Sequence, residues 1–78
     1  LAYIEVTVAN PQRAAYVLSE KLGLTNFRLN GDTCFRIYDS QISTQELSKA
    51  LSLNDVEILS LGRRNETLED YFLKITAD

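Results

Sequence analysis

Few side chains in this 78-residue chain could do chemistry, and none of them is histidine. The chain therefore lacks the usual acid–base group at neutral pH, a common ligand of transition metals and the base of most serine and cysteine dyads. The single cysteine, Cys34, falls in a predicted strand, where a small packed side chain is a simpler interpretation than a nucleophile. We predict no catalytic and no metal-binding residue, and we expect this piece not to be an enzyme.

The sequence also offers few residues for binding phosphate or for acid–base catalysis by paired carboxylates. The glycines Gly23, Gly31 and Gly62 are isolated from one another, so no glycine-rich loop is available to cradle a phosphate. Glu69 and Asp70 are adjacent, but consecutive helical residues point about 100° apart, and both suit the first turn of a helix through its dipole. We predict no cofactor-binding residue, and we interpret the two carboxylates as structural, with contact to a basic partner as the alternative.

Two features are candidates for an interaction surface. Near the end of the chain, apolar residues at i, i+3, i+4 and i+7 predict a helix with one apolar stripe. The stripe consists of Leu68, Tyr71, Phe72 and Ile75. Arg63 and Arg64 follow the fourth predicted strand, where they could bind a phosphate or an acidic surface, although a solvated loop is the simpler interpretation.

The elements that must position these residues begin with a strand and a helix. The stretch "AYIEVTV" alternates apolar and polar residues, which is typical of a strand with one covered face. In "NPQRAAYVLSEKLG", Asn10 is the predicted N-cap, Pro11 suits the first helical position and Gly23 predicts the end of the helix.

A hairpin, a second helix and a fourth strand follow. Asn30-Gly31 lies between two alternating runs and predicts a tight hairpin turn. Ser43 and Glu46 form a predicted capping box at the start of the second helix. The order predicts an α+β fold, a ferredoxin-like βαββαβ antiparallel sheet with two helices on one face and an additional C-terminal amphipathic helix.

The fourth strand, "VEILSLGRR", has apolar residues on both of its predicted faces. Val56 and Ile58 share one face and Leu59 and Leu61 share the other, so both faces are expected to be covered. This pattern favours a last helix that folds back over the open side of the sheet. The alternative is that its apolar stripe docks on another domain or chain.

The face opposite the two helices imitates one known kind of binding surface. Its predicted members on the first strand and on the second strand of the hairpin are Tyr3, Glu5, Thr7, Cys34, Arg36 and Tyr38. RNA-recognition motifs stack bases on aromatic residues at such positions, but their glycine and aromatic run is absent here and the net charge is −3. We therefore predict no nucleic-acid partner and interpret the two tyrosines as packed beneath the last helix.

Composition predicts one small domain, residues 1–78. No apolar run reaches the 18 or so residues of a membrane span, so direct membrane insertion is not expected. A single cysteine suits a reducing compartment. The chain begins at Leu1 and contains no methionine, which favours a piece excised from a longer protein.

The last third of the chain resembles a known family. The stretch "VEILSLGRRNETLEDYFLKITAD" is similar to the end of ATP-binding subunits of ABC transporters, especially the bacitracin and antibiotic exporters. The residues that carry the likeness are Leu68, Glu69, Asp70, Tyr71, Phe72 and Leu73. The resemblance implies a C-terminal accessory domain preceded by an ATPase domain, N-terminal to residue 1, that would bind ATP and Mg. None of that domain's motifs lies in this chain, so no ATP-site residue can be assigned here.

The resemblance also implies a function in subunit pairing or regulation. The expected partners are the chain's own ATPase domain, a second copy of the subunit and, through the parent protein, a membrane permease, in a cytoplasmic location peripheral to the membrane. The alternative is a sensor domain that pairs edge to edge and binds an amino acid. Such sites usually have a glycine-bearing loop after the first strand, where this chain has Ala9-Asn10-Pro11.

Overall fold

The computed structural model describes residues 2–65, which form one four-stranded antiparallel sheet and two helices. The elements are β1 (Ala2–Val8), α1 (Pro11–Tyr16) with a π-helical turn (Val17–Lys21), β2 (Phe27–Asn30), β3 (Cys34–Ile37), α2 (Thr44–Leu53) and β4 (Ile58–Asn65). This confirms the predicted α+β class, while the ferredoxin-like arrangement stays a prediction. The additional C-terminal helix falls outside the described residues.

The sheet has the strand order β2-β3-β1-β4, so β3 and β1 are its inner strands. Ile4 lies opposite Ile37 and Val6 opposite Phe35, which brings the apolar residues of both inner strands onto one face. The buried residues of both helices pack against that face. The resulting core consists of Ile4, Val6, Val8, Ala14, Val17, Leu18, Leu24, Phe35, Ile37, Ile42, Leu47, Leu51 and Val56.

The first helix begins and ends at the predicted residues. The Asn10 side chain accepts a hydrogen bond from the Arg13 backbone N–H (3.1 Å), and Gly23 has a positive φ of 65°. The π-helical turn was not predicted. It is marked by the Leu22 N–H, which donates to the Val17 carbonyl five residues earlier (3.0 Å).

The hairpin is confirmed, but the predicted position of its turn is wrong. Asn30 is the last residue of β2 and pairs with Cys34, so the loop has three residues, from Gly31 to Thr33. Gly31 has a φ of 87°, whereas Asn30 keeps an ordinary negative φ. Three-residue hairpin loops are the common alternative to the two-residue turn that Asn-Gly usually signals.

The second helix has a well-formed boundary at each end. The Glu46 N–H donates to the Ser43 hydroxyl (3.1 Å) and the Ser43 N–H donates to a Glu46 carboxylate oxygen (3.4 Å), which confirms the predicted capping box. At the other end Asp55 has a φ of 62°, and the Val56 N–H donates to the Leu51 carbonyl (2.9 Å). This is a Schellman ending with aspartate in the position that glycine usually occupies.

The predicted alternation of β4 is wrong because the strand contains a β-bulge. Ser60 pairs with Thr7 but Ile58 pairs with Val8, so Leu59 is an extra residue with no partner on β1. Beyond the bulge, Leu61 lies opposite Val6 and packs with Ile58 against the core, while Leu59 is 58% exposed. Ile58 and Leu61 therefore share the helix-covered face, which the simple period of two did not predict.

Candidate functional site

The side of the sheet away from the helices, which we call the open face, carries the residues best suited to binding. The register places Glu5 opposite Arg36 and Gly62, and Arg36 opposite Arg28. Directly opposed residues share a face, so the predicted membership of this face is confirmed and extended. Its residues are Tyr3, Glu5, Thr7, Arg28, Asn30, Cys34, Arg36, Ser60, Gly62 and Arg64, together with Tyr38, whose ring lies beside that of Tyr3.

Aromatic rings and guanidinium groups alternate across one end of the open face. The ring centroids of Tyr3 and Tyr38 are 5.4 Å apart. The Arg28 guanidinium lies 5.5 Å from the Tyr38 ring centroid, and the Arg36 guanidinium lies 5.0 Å from that of Tyr3. These are cation–π distances. The ring of Tyr3 is only 8% exposed, so this row is a partly desolvated surface.

Among the described residues, Glu5 is the single carboxylate on the open face, and two arginines share it. One of its oxygens lies 3.6 Å from Arg36 Nε and the other lies 3.5 Å from Arg64 Nε. Together with Arg28, the face carries three guanidinium groups against one carboxylate, an excess of two positive charges. The face is therefore electrostatically suited to an acidic surface.

Arg36 is the most enclosed of the three arginines. Burial disfavours its charge, but the neighbouring Tyr38 hydroxyl, then Tyr3 and, as the smallest contribution, the Glu5 carboxylate together outweigh that cost and raise the pKa of the guanidinium above its usual value. Its Nε atom is buried and has no hydrogen-bond partner among residues 2–65, since the Glu5 oxygen is 3.6 Å away, just beyond bonding distance. A buried donor without an acceptor is costly, so Arg36 is held in this position at the expense of one unmade hydrogen bond.

The predicted pair Arg63 and Arg64 is not a loop pair. Both residues lie within β4, and because successive residues of a strand point to opposite faces they cannot act together on one ligand. Arg63 lies opposite Ile4 on the helix side, where its Nη2 donates to the Ile42 carbonyl (3.4 Å). Arg64 alone belongs to the open face.

The apolar stripe of Leu68, Tyr71, Phe72 and Ile75 lies outside the described residues, as do Glu69 and Asp70. Their role stays a prediction from the sequence.

Sequence reasoning missed Asp39, the buried charged residue of the described chain. Its carboxylate accepts hydrogen bonds from the backbone N–H groups of Thr25 and Asn26, each at 3.1 Å. These contacts connect the end of β3 to the loop before β2. The available signal was a charged residue two positions after the end of an apolar strand, but the sequence does not identify its partners.

Residues 2–65 also limit the other kinds of site that this domain could carry. No group of three or more potential metal-ligating side chains occurs in this range. No helix in it is long and apolar enough to cross a membrane. A cavity of about 320 Å³ adjoins the aromatic end of the open face and is lined by Ala2, Asn26, Phe27, Arg28 and Tyr38.

Comparison with known proteins identifies relatives of one kind. The chain is 45% identical over 73 residues to the uncharacterized ABC transporter ATP-binding protein YcbN of Bacillus subtilis (strain 168). It is 33% identical to the bacitracin transport ATP-binding protein BcrA of Enterococcus faecalis and 22% identical to BcrA of Bacillus licheniformis, again over 73 residues. Each alignment covers 94% of this chain. These relatives confirm the resemblance to ABC transporter ATP-binding proteins and extend it well beyond the last third of the chain.

The chain spans only about a quarter of the length of these relatives, between 23% and 24%. No family model matches the chain. No solved structure matches it either.

Proposed function

Because this chain is similar to a quarter of an ABC transporter ATP-binding protein, we propose that it is an accessory domain of the ATP-binding subunit of such a transporter. The observation that carries the proposal is the 45% identity with YcbN over 94% of the chain. The similarity to the two bacitracin transport proteins BcrA supports bacitracin, or an antibiotic of its class, as the transported substrate. ATP and Mg belong, in this proposal, to the rest of the parent protein.

We propose that the domain acts in subunit pairing or regulation through its β2 edge. Leu29 on this edge strand is 49% exposed and borders a shallow groove, here the hairpin groove, lined by Pro11, Gln12, Ala15, Leu29, Asp32 and Phe35. An edge strand offers unpaired backbone groups to a second chain, and an exposed leucine beside it adds apolar contact. The second surface would be another copy of the subunit or the ATPase domain of the same chain.

The membership proposal is tested by sequencing the parent gene on both sides of the codons for residues 1–78. We expect a P-loop of the form G-x-x-x-x-G-K-[ST] and an ABC signature in the same reading frame. A complete reading frame without these motifs would overturn the proposal.

The pairing role is tested in the full-length subunit with its permease. We expect Leu29→Glu to reduce subunit pairing in sedimentation experiments with MgATP and to lower bacitracin resistance in cells. The matched control is Leu53→Glu, because Leu53 is even more exposed, at 72%, and lies on α2 away from the hairpin groove. Equal effects of the two variants, or none, would refute a role for the β2 edge.

A further inference from the structure

The cavity at the aromatic end of the open face is lined by three residues whose side chains can donate hydrogen bonds. It has a volume of about 320 Å³ and lies at the start of β2, at the opposite end of that strand from the hairpin loop. The three polar residues are Asn26, Arg28 and Tyr38, and the apolar part of the lining is Ala2 and Phe27. This volume is at the lower end of the range typical of ligand pockets, so the cavity suits a compact ligand.

The hydrogen bonds around the cavity show which donors a ligand could use. The Asn26 backbone N–H donates to Asp39 and its carbonyl accepts from the Tyr38 N–H, so the carboxamide is the group of Asn26 that a ligand could bind. The Tyr38 hydroxyl accepts a hydrogen bond from Arg28 Nη2 (3.4 Å), so its own proton points to a different acceptor. The same contact keeps the Arg28 guanidinium beside the cavity that it lines.

The charge of the cavity lining is a single positive charge. The Glu5 carboxylate lies beside Arg36 and Arg64, whereas within residues 2–65 Arg28 makes no ion pair. Arg28 lies directly opposite Arg36 on β3, and like charges in opposed positions repel each other. An anion bound at Arg28 would reduce this repulsion.

The same lining disfavours a ligand that carries a positive charge of its own. None of the five described lining residues is a carboxylate that could bind an ammonium group. A guanidinium with two neutral donors beside it matches the oxygens of one carboxylate, because hydrogen bonds to an ionised acceptor are the strong ones. The chemistry therefore suits a simple carboxylic acid better than a zwitterionic amino acid.

We propose that this cavity binds a small organic acid with one carboxylate and an apolar body. The carboxylate accepts hydrogen bonds from the Arg28 guanidinium and the Tyr38 hydroxyl, with the Asn26 carboxamide as a third donor. The apolar body packs against Phe27 and Ala2. The site is separate from the hairpin groove and does not depend on the transporter assignment, because it rests on the cavity and contacts of this chain alone.

Titration of the 78-residue chain with sodium benzoate at constant ionic strength tests the site. Benzoate has one carboxylate on one apolar ring, and nuclear magnetic resonance follows the backbone amides. We expect saturable shifts that are largest at Asn26, Phe27, Arg28 and Tyr38. Arg28→Gln should weaken binding by about tenfold or more, because the carboxylate loses its charged partner. Arg28 is exposed, so the variant should keep the fold and the amide spectrum of the core.

The control variant is Arg13→Gln. The Arg13 guanidinium also lies over a tyrosine, 5.4 Å from the Tyr16 ring centroid, and Arg13 is also exposed, but it belongs to α1 and does not line the cavity. This variant should bind benzoate as the unchanged chain does. Equal affinities of the two variants, or no saturable shift in the unchanged chain, would overturn the proposal.

Two further titrations test the class of ligand. Phenylalanine has a similar ring and a carboxylate together with an ammonium group, and inorganic phosphate is an anion without an apolar body. We expect both to bind at least about tenfold more weakly than benzoate. Phenylalanine binding as tightly as benzoate would show that an amino acid is accepted, and phosphate binding as tightly would show that the apolar wall contributes nothing. Either result would contradict the proposed class.

Discussion

Asp39 shows how one side chain connects distant parts of this small fold. Its carboxylate accepts hydrogen bonds from the backbone N–H groups of Thr25 and Asn26, which no strand pairing satisfies. The adjacent Tyr38 N–H donates to the Asn26 carbonyl at 2.8 Å, so the loop is held at both its donor and its acceptor groups. Because Asp39 is only 8% exposed, water cannot readily replace it.

We expect Asp39→Ala to lower the free energy of unfolding by about 1 to 3 kcal/mol, since two partly buried N–H groups lose a charged acceptor. Urea denaturation followed by circular dichroism measures this loss. Asp32→Ala is the control, because Asp32 is exposed in the hairpin loop and should change stability by no more than about 0.5 kcal/mol. Similar losses in the two variants would show that the Asp39 contacts are unimportant.

Asp55 is a second residue whose surroundings allow the effect of a substitution on stability to be predicted. It has a φ of 62° and carries a negative charge at the C-terminal end of α2, where the helix dipole disfavours it. We expect Asp55→Gly to raise the free energy of unfolding by about 0.5 to 1 kcal/mol. This is a net value, because relief of the backbone strain is partly offset by the greater conformational entropy that glycine gives the unfolded chain.

The same substitution at Asp32, which has no positive φ, is the control and should be neutral or destabilising. Thermal unfolding of both variants separates the relief of backbone strain at residue 55 from the general effect of introducing glycine. A loss of stability in Asp55→Gly would mean that its left-handed backbone is not a source of strain.

The bulge in β4 decides which apolar side chains of that strand belong to the core. A regular strand would put Leu59 and Leu61 on the same face, whereas the observed register packs the partly buried Leu61 against the core and leaves Leu59 exposed. We expect Leu61→Ala to cost about 1 to 3 kcal/mol of unfolding free energy, and Leu59→Ala about 0.5 kcal/mol or less. Chemical denaturation of both variants measures the difference, and equal costs would favour a strand without the bulge.

One core joins all the described elements, because both helices pack on the same face of a single sheet. A domain of 78 residues held by one core is expected to unfold in a single transition with a free energy of about 4 to 12 kcal/mol. Tyrosine fluorescence and far-ultraviolet circular dichroism should give superimposable urea curves. Two separated transitions would show that the hairpin or α2 unfolds independently of the rest.

Local patterns were enough to predict the elements. Asn10 and the Ser43–Glu46 pair set the starts of the helices through bonds that span three residues, and Gly23 sets one end through its own backbone. The alternation of β1 and β3 likewise predicted which residues share the open face. Such signals lie within a few residues of the position that they control, so they can be read from the chain alone.

Tertiary structure decided what those residues do together. The bulge in β4, the separation of Arg63 from Arg64 and the sharing of Glu5 between two arginines all depend on the register between strands distant in sequence. Resemblance of the last third predicted the kind of relative, and comparison of nearly the whole chain confirmed it. The sequence by itself determined the elements and the relatives, because both follow from which residue types stand at which positions of the chain. The positive charge of the open face exists only once pairing of the strands brings arginines of three different strands onto one surface.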